Sequence, residues 1–319
     1  MKWGIIATGR IAKKFASTIN QMKEQGMCLC AVASRDINTA KSFAEEYSIP
    51  RYYASYEELT KDPDIEAVYI ATPNHLHFDN VMTCLNNNKH VLVEKPITLT
   101  KKHSELMYKR AKEKGLLLME AFWISMIPAI QKMKEVISQG CIGKVNYARV
   151  DYGFSLAPER RYRKFASELG GGALWDIGVY TLGFLRMVFG ENPESFQASI
   201  HKNEYDTDDF SSIALTYKNG AKAEALTSIG IDLGRKAIVS GSEGLILLDD
   251  FQQAQSLTLI KFDGSKEILT FPFDINGFEY EIREAEKCIQ EGLSSSSIHT
   301  EASSVDTIDL IERILKENQ

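Results

Sequence analysis

The chain has 319 residues, 44% of them apolar and 25% charged, the composition of a globular protein with room for about two domains. A net charge of −6 and a pI near 5.7 leave no general basic field for nucleic acid. No run nears the roughly 18 apolar residues of a membrane span, no secretory leader is visible, and cysteines 28, 30, 84, 141 and 288 match neither a disulfide framework nor a zinc site, so a reducing cytoplasm is expected.

The first third alternates apolar strand-like runs with helical segments. Strands are predicted over residues 3–8, 27–33, 66–71, 90–94 and 116–121, and helices over 11–25, 39–47, 78–87 and 101–114. That alternation predicts parallel βαβ units, an α/β Rossmann domain with a doubly wound sheet over residues 1–121. Within the second strand, Cys28 and Cys30 alternate with Met27, Leu29 and Ala31 and are expected as small buried side chains. The pattern changes near Phe122. A helix over 128–139 precedes an alternating strand, with Val145, Tyr147 and Arg149 on one face and Asn146, Ala148 and Val150 on the other. A helical insertion over 173–189 interrupts. Strands follow over 195–201, 210–217, 221–228, 235–240, 244–249, 256–261 and 266–271, separated by turn signals such as Lys218-Asn219-Gly220 and Asp263-Gly264. Helices over 277–291 and 300–316 close the chain. Residues 122–319 are therefore expected to form an α+β substrate-binding and dimerisation domain with a largely antiparallel open sheet.

The first strand–helix junction reads Ala7-Thr8-Gly9-Arg10-Ile11-Ala12, the place of a G-x-G-x-x-G/A phosphate fingerprint. Gly9 lets the backbone approach a pyrophosphate, Ala12 allows close helix packing, and the helix N-terminus offers N–H groups. Ala7 replaces the first glycine, so this turn is expected at negative φ. Thr8, Gly9, Arg10 and Ile11 are thus candidate cofactor residues. The second strand ends in Ala33-Ser34-Arg35-Asp36. A hydroxyl and a guanidinium suit a 2′-phosphate, which makes Ser34 and Arg35 cofactor candidates and favours NADP. In the competing reading Asp36 holds the ribose, Arg35 stacks on adenine, and NAD is used.

After the third strand comes Thr72-Pro73-Asn74-His75-Leu76-His77, and after the fourth comes Glu94-Lys95-Pro96. The histidines do not read as a metal pair, because no third ligand accompanies them. Together with residues 4–12, 89–96 and Gly170-Gly-Gly-Ala-Leu-Trp-Asp-Ile-Gly-Val-Tyr180, these segments resemble the Gfo/Idh/MocA oxidoreductase family (glucose–fructose oxidoreductase and inositol dehydrogenase) over essentially the whole chain. The dihydrodiol dehydrogenase branch is the most similar, through Met119-Glu120-Ala121-Phe122-Trp123 and Tyr180. The resemblance implies that Thr72, Pro73, Asn74 and His77 line the nicotinamide side of the cofactor cleft, that Glu94 contacts the cofactor region, and that Lys95 serves the reacting centre.

Asp176 and Tyr180 are four apart, hence on one helical face, and Gly170 to Gly172 remove side chains at the helix entry and permit close approach to a ligand. Many sugar dehydrogenases of the family carry histidine where this chain has Tyr180. A free tyrosine, with a pKa of about 10, is a poor acid–base group at neutral pH; a nearby Lys95 would bring it into range. Asp176 either orients Tyr180, binds a substrate hydroxyl or takes the acid role itself. Trp123 and Trp175 are candidate apolar walls of a substrate pocket. Arg163, in the run Arg160-Arg161-Tyr162-Arg163, either closes over phosphate or substrate or belongs to a solvated loop. The expected activity is an NADP-dependent hydride transfer between nicotinamide and a carbonyl or secondary alcohol of a small sugar, polyol or trans-dihydrodiol. The alternatives are an NAD-dependent sugar or inositol dehydrogenase with Asp176 as acid–base group, and a non-catalytic dinucleotide-binding sensor. The expected partners are a small-molecule substrate and a second copy of the chain, with no metal, membrane or nucleic acid.

Overall fold

Short runs of apolar residues shielded on both faces build the first sheet, as a parallel sheet covered by helices requires. The computed structural model describes residues 1–157, 159 and 161–318. Strands β1 (Lys2–Ile6), β2 (Cys28–Ala33), β3 (Arg51–Tyr53), β4 (Ala67–Ile70), β5 (His90–Glu94) and β6 (Leu118–Ala121) are parallel and lie in the order β3-β2-β1-β4-β5-β6. Helices α1 (Arg10–Gln21), α2 (Ile37–Tyr47), α3 (Tyr56–Lys61), α4 (His77–Asn86) and α5 (Lys101–Lys114) connect them. Ile5, Ile6, Val32, Val68, Ile70, Leu92 and Val93 have no solvent contact. The order reverses at β1 and β4, the switch point where doubly wound sheets bind ligands at the carboxyl ends of their strands. The sequence pattern predicts neither β3 nor α3. β3 is three residues without an apolar run, and α3 is a six-residue helix started by the Ser55 hydroxyl, which accepts from Glu58 N at 3.2 Å.

The second half contains α6 (Pro128–Ser138), β7 (Val145–Phe154), α7 (Arg161–Phe165) and α8 (Val179–Phe189). Strands β8 (Ser195–Lys202), β9 (Asp208–Thr216), β10 (Lys222–Ile229), β11 (Ala237–Gly241), β12 (Gly244–Leu248), β13 (Ser256–Lys261) and β14 (Lys266–Thr270) complete an eight-stranded sheet with β7. Its order is β14-β13-β12-β11-β7-β10-β9-β8, antiparallel except for the β7–β10 pair. One face packs beneath α8 through Ala148, Val150, Ala223 and Ala225. The other is open. In register across all eight strands it presents Gln197, Ala214, Glu224, Arg149, Ile238, Leu247, Thr258 and Ile268, none of them buried.

Helices α9 (Phe278–Gln290) and α10 (Glu301–Glu317) end the chain and part company. The first unit consists of Met1–Trp123 and Asp274–Glu301, the second of Ile124–Phe273 and the residues from Ala302 onward. The expected division into 1–121 and 122–319 is therefore corrected at Asp274–Glu301. α9 buries Phe278, Ile282, Ala285 and Cys288. Ahead of it, the Asn276 amide donates to the Thr18 hydroxyl at 2.8 Å, and after it Leu118 N donates to Ser294 O at 3.1 Å. An amphipathic stripe marks a helix but does not say which core receives it. No helix among the described residues is long and apolar enough to cross a membrane, and none of their side chains cluster as a metal site would require.

Candidate active site

β1 passes to α1 through Ala7-Thr8-Gly9. Ala7 stands at φ 79°, against the expected negative φ, and its N–H donates to Ala33 O at 3.0 Å. The tight turn of the fingerprint is thus kept, with alanine bearing the left-handed strain that glycine would escape. Gly9 is the N-cap, extended at φ −71° and ψ 179°, and no side chain caps the helix. The first turn of α1 therefore presents its N–H groups to an anion, with Arg10 exposed beside them and Thr8 and Ile11 half-buried. These residues fit a pyrophosphate.

At the end of β2, Ser34 is half-buried, with its N–H on Tyr53 O at 3.2 Å, and Arg35 is exposed. The Arg35 guanidinium lies beside the Tyr56 hydroxyl and favours its ionisation, while burial pushes that hydroxyl up. Asp36 caps α2: its Oδ1 accepts from Asn38 N at 2.7 Å and from Thr39 N at 3.4 Å. The carboxylate that would bind a ribose is already engaged by the backbone.

After β4, Thr72 is buried and its hydroxyl accepts from Asn80 Nδ2 at 3.1 Å; Pro73 is exposed and Asn74 half-buried. His77 differs from its expected place along the nicotinamide. It is wholly buried, with Nδ1 at 2.8 Å from Pro96 O and Nε2 at 3.0 Å from Thr72 O. Burial pushes this imidazole down against the pull of the two carbonyls, and in its neutral form the ring donates to one of them only. His77 ties the turn after β4 to the Glu94-Lys95-Pro96 turn after β5 and holds both in place from behind. Glu94 accepts a hydrogen bond from the Tyr69 hydroxyl, and Tyr69 stacks on Phe15 with ring centroids 3.8 Å apart. Burial pushes the Glu94 carboxyl up, and the Lys95 ammonium acts against it. Lys95 is half-buried next to a cis peptide bond to Pro96. Glu120 braces the same turn, accepting from Ile97 N at 2.8 Å and pairing with His299 Nε2 at 2.8 Å. Trp123 is core: its ring lies 5.6 Å from Phe278, with Lys14 Nζ 4.6 Å above it.

In the second unit the glycines make room for the chain's own packing, where their run predicts close approach of a ligand. A side chain on Gly171 would strike the Phe165 carbonyl carbon at 2.5 Å, and Gly172, at φ 119°, leaves room for Asp208. Asp208 is 2% exposed and accepts from Leu174 N at 2.7 Å, anchoring the helix entry. Burial pushes its carboxyl up to about 6. Leu174–Gly178 forms a π turn, not the regular helix expected, and α8 continues from Val179. Asp176 lies in the π turn and Tyr180, buried, in the first turn of α8. Lys164 Nζ donates to Asp176 Oδ2 at 2.5 Å. The Tyr180 ring lies 6.1 Å from that of Tyr152, whose hydroxyl is pushed up to about 12 by burial and then by the Asp176 carboxylate. Arg235, paired with Asp250 at 2.7 Å, lies beside the Tyr152 hydroxyl and acts against that shift. Trp175 is buried.

Of the basic run, Arg161 and Arg163 lie on α7. Arg163 is exposed, Arg161 pairs with Glu204 at 3.5 Å, Arg160 lies outside the described residues, and the cation that reaches Asp176 is Lys164. Lys164, Tyr152, Arg235 and Asp208 are the functional candidates that motif reading misses. Lys164 extends the basic run by one residue, its only sequence signal.

Residues 1–122 match the family described as "Oxidoreductase family, NAD-binding Rossmann fold", and residues 130–247 match "GFO/IDH/MocA C-terminal domain". The trans-1,2-dihydrobenzene-1,2-diol dehydrogenase of Xenopus laevis is 34% identical over 324 residues, 99% of this chain and 97% of that relative. The chain belongs to the Gfo/Idh/MocA oxidoreductase family. Its fold is shared with a 3-ketoreductase from Actinomadura kijaniata in complex with NADP and TDP-benzene (TM-score 0.88, 24% identity, 98% of this chain and 96% of that one). A levoglucosan dehydrogenase in complex with NADH and levoglucosan has a TM-score of 0.89 at 22% identity, covering 99% and 96% of the two chains. This Gfo/Idh/MocA protein is an NAD(P)-binding oxidoreductase acting on CH-OH groups.

Proposed function

We propose that this oxidoreductase uses NADP to interconvert a secondary alcohol and a carbonyl on a small polyhydroxylated or cyclic substrate, a trans-dihydrodiol or a sugar. The observation that carries the cofactor choice is the commitment of Asp36 to capping α2, which leaves Ser34 and Arg35 for a 2′-phosphate. When bound, the nicotinamide supplies or takes the hydride. The Thr8–Ile11 turn binds the pyrophosphate, and Thr72, Pro73, Asn74 and Glu94 border the nicotinamide. Tyr180 moves the proton at the substrate oxygen with Lys95 assisting, and Asp176, held by Lys164, orients the substrate hydroxyl. The name of the Xenopus laevis relative supports a diol substrate. The 2.5 Å Lys164–Asp176 pair favours a second reading, in which Asp176 is the acid–base group. Five free cysteines support a reducing, cytoplasmic location, and the unburied row across the second sheet supports a homodimer formed on that face.

A spectrophotometric screen at the nicotinamide band tests the activity. It crosses NADP and NAD with sugars, inositols, trans-dihydrodiols and dicarbonyls. Turnover of a diol or sugar with NADP is expected. Cofactor binding without turnover of any member, or turnover with NAD alone, overturns the proposal.

A further inference from the structure

The thiols of Cys28 and Cys30 lie far closer together than two side chains on one strand face normally do. The rise of about 3.3 Å per residue sets such residues about 6.6 Å apart, near the upper limit of roughly 6.8 Å between Cα atoms that a disulfide tolerates. Here the register of β1 and β2 slips, with Trp3 opposite Leu29 and Gly4 opposite Ala31, so Cys30 has no partner on β1. An extra residue of this kind bends the strand. The two sulfurs stand 3.0 Å apart, and the Cys30 thiol also points to Cys28 O at 3.6 Å. Their exposures differ: Cys28, expected to be buried, is exposed, whereas Cys30 is 6% exposed. Burial and the neighbouring Cys28 sulfur push the Cys30 thiol up to about 12. The Lys2 and Arg51 cations lie close by.

We infer that Cys28 and Cys30 form a dithiol modification site, which a hydroperoxide converts reversibly into an intrastrand disulfide. The exposed Cys28 sulfur attacks the O–O bond; the hydroperoxide leaves as alcohol or water, and Cys28 becomes a sulfenic acid. The Cys30 sulfur then displaces the Cys28 hydroxyl, which leaves as water with the Cys30 proton. One S–S bond forms, two thiols lose two electrons in all, and the peroxide oxygens are reduced by the same two. The buried member is the resolving thiol, since it is in contact with the sulfur it must attack and is shielded from the oxidant. Cys28 stands at the amino end of β2 and Ser34 follows its carboxyl end, so the pair is separate from the proposed cofactor contacts.

The test treats the full folded chain with hydrogen peroxide, then blocks free thiols and measures mass. Trypsin releases residues 24–35 as one peptide holding both cysteines. The expected result is loss of about 2 Da from that peptide, reversed by dithiothreitol. Cys141, which is half-buried, serves as the internal measure of oxidant dose. In Cys30→Ser, the Cys28 sulfenic acid should persist and be captured by dimedone; in Cys28→Ser, Cys30 should stay reduced at the same dose. Dimedone capture of Cys28 in the unaltered chain, an unmodified 24–35 peptide once Cys141 is oxidised, or a disulfide to another cysteine each overturns the inference.

Discussion

Asp176, in the π turn, and Tyr180, in the first turn of α8, differ in environment: the tyrosine is buried beside Tyr152, the carboxylate paired with Lys164. If Tyr180 moves the proton, Tyr180→Phe lowers kcat by about 10²–10⁴ with cofactor binding within a few-fold. Asp176→Asn then costs less. Steady-state kinetics decide, and a larger loss in Asp176→Asn transfers the acid–base role. Arg35→Ala is expected to weaken NADP by about 10- to 100-fold, the worth of one charge-assisted hydrogen bond, and NAD little. Equal losses in fluorescence titrations with the two cofactors would refute the 2′-phosphate contact. Ala7 tests the backbone. Its left-handed φ costs about 1–2 kcal/mol, and glycine gives back about 0.5–1 kcal/mol in chain entropy. Ala7→Gly should therefore raise Tm by about 1–2 °C; a calorimetric fall would show that the methyl group packs usefully.

Among the elements, the entry to the π turn depends most on one buried group. Asp208 is protonated more readily in the folded chain than in the unfolded one, because burial raises its pKa from the ordinary carboxylate value to about 6. Its contribution to stability is therefore complete below about pH 4 and is lost as pH rises through about 6. Asp208→Asn keeps an acceptor for Leu174 N and cannot ionise. Between about pH 5 and pH 8 its Tm should fall less than that of the parent chain. Equal falls in thermal scans would show that Asp208 does not titrate in this window. Sequence signals record such features unevenly. The long helix α5 shows its period and the Gly9 turn its motif, so both are readable. Asp208 is an ordinary acidic residue 36 positions beyond Gly172, and only the fold brings the two together. His77 was legible as part of a motif but not as a strut, because its two backbone carbonyl neighbours come from separate turns.

Over the whole molecule, the sheet of the second unit sets the main expectation. Its open row joins the charged pair Glu224 and Arg149 to Ile238, Leu247 and Ile268, the last 62% exposed. Apolar strand faces of this kind are usually covered. Sedimentation should find a dimer, and Ile238→Asp, placing a charge mid-row, should shift it toward monomer at equal concentration. An unaltered dimer would move the interface elsewhere. The strand count and the antiparallel character of this sheet were readable from alternation and turns. The parallel β7–β10 pair and the return of α9 to the first unit were not, since both depend on contacts between segments more than 70 residues apart.

The π turn at Leu174–Gly178 holds one residue more per turn than an α-helix would. In effect, the chain carries a single-residue insertion that has been absorbed and not expelled. Each residue of an α-helix turns about 100°, so length changes here act as rotations. Deleting one residue would restore a regular helix and swing Asp176 around relative to Tyr180, disabling the pair without altering either side chain. The reading frame of the helix, and not only the identity of its side chains, sets the angle between Asp176 and Tyr180.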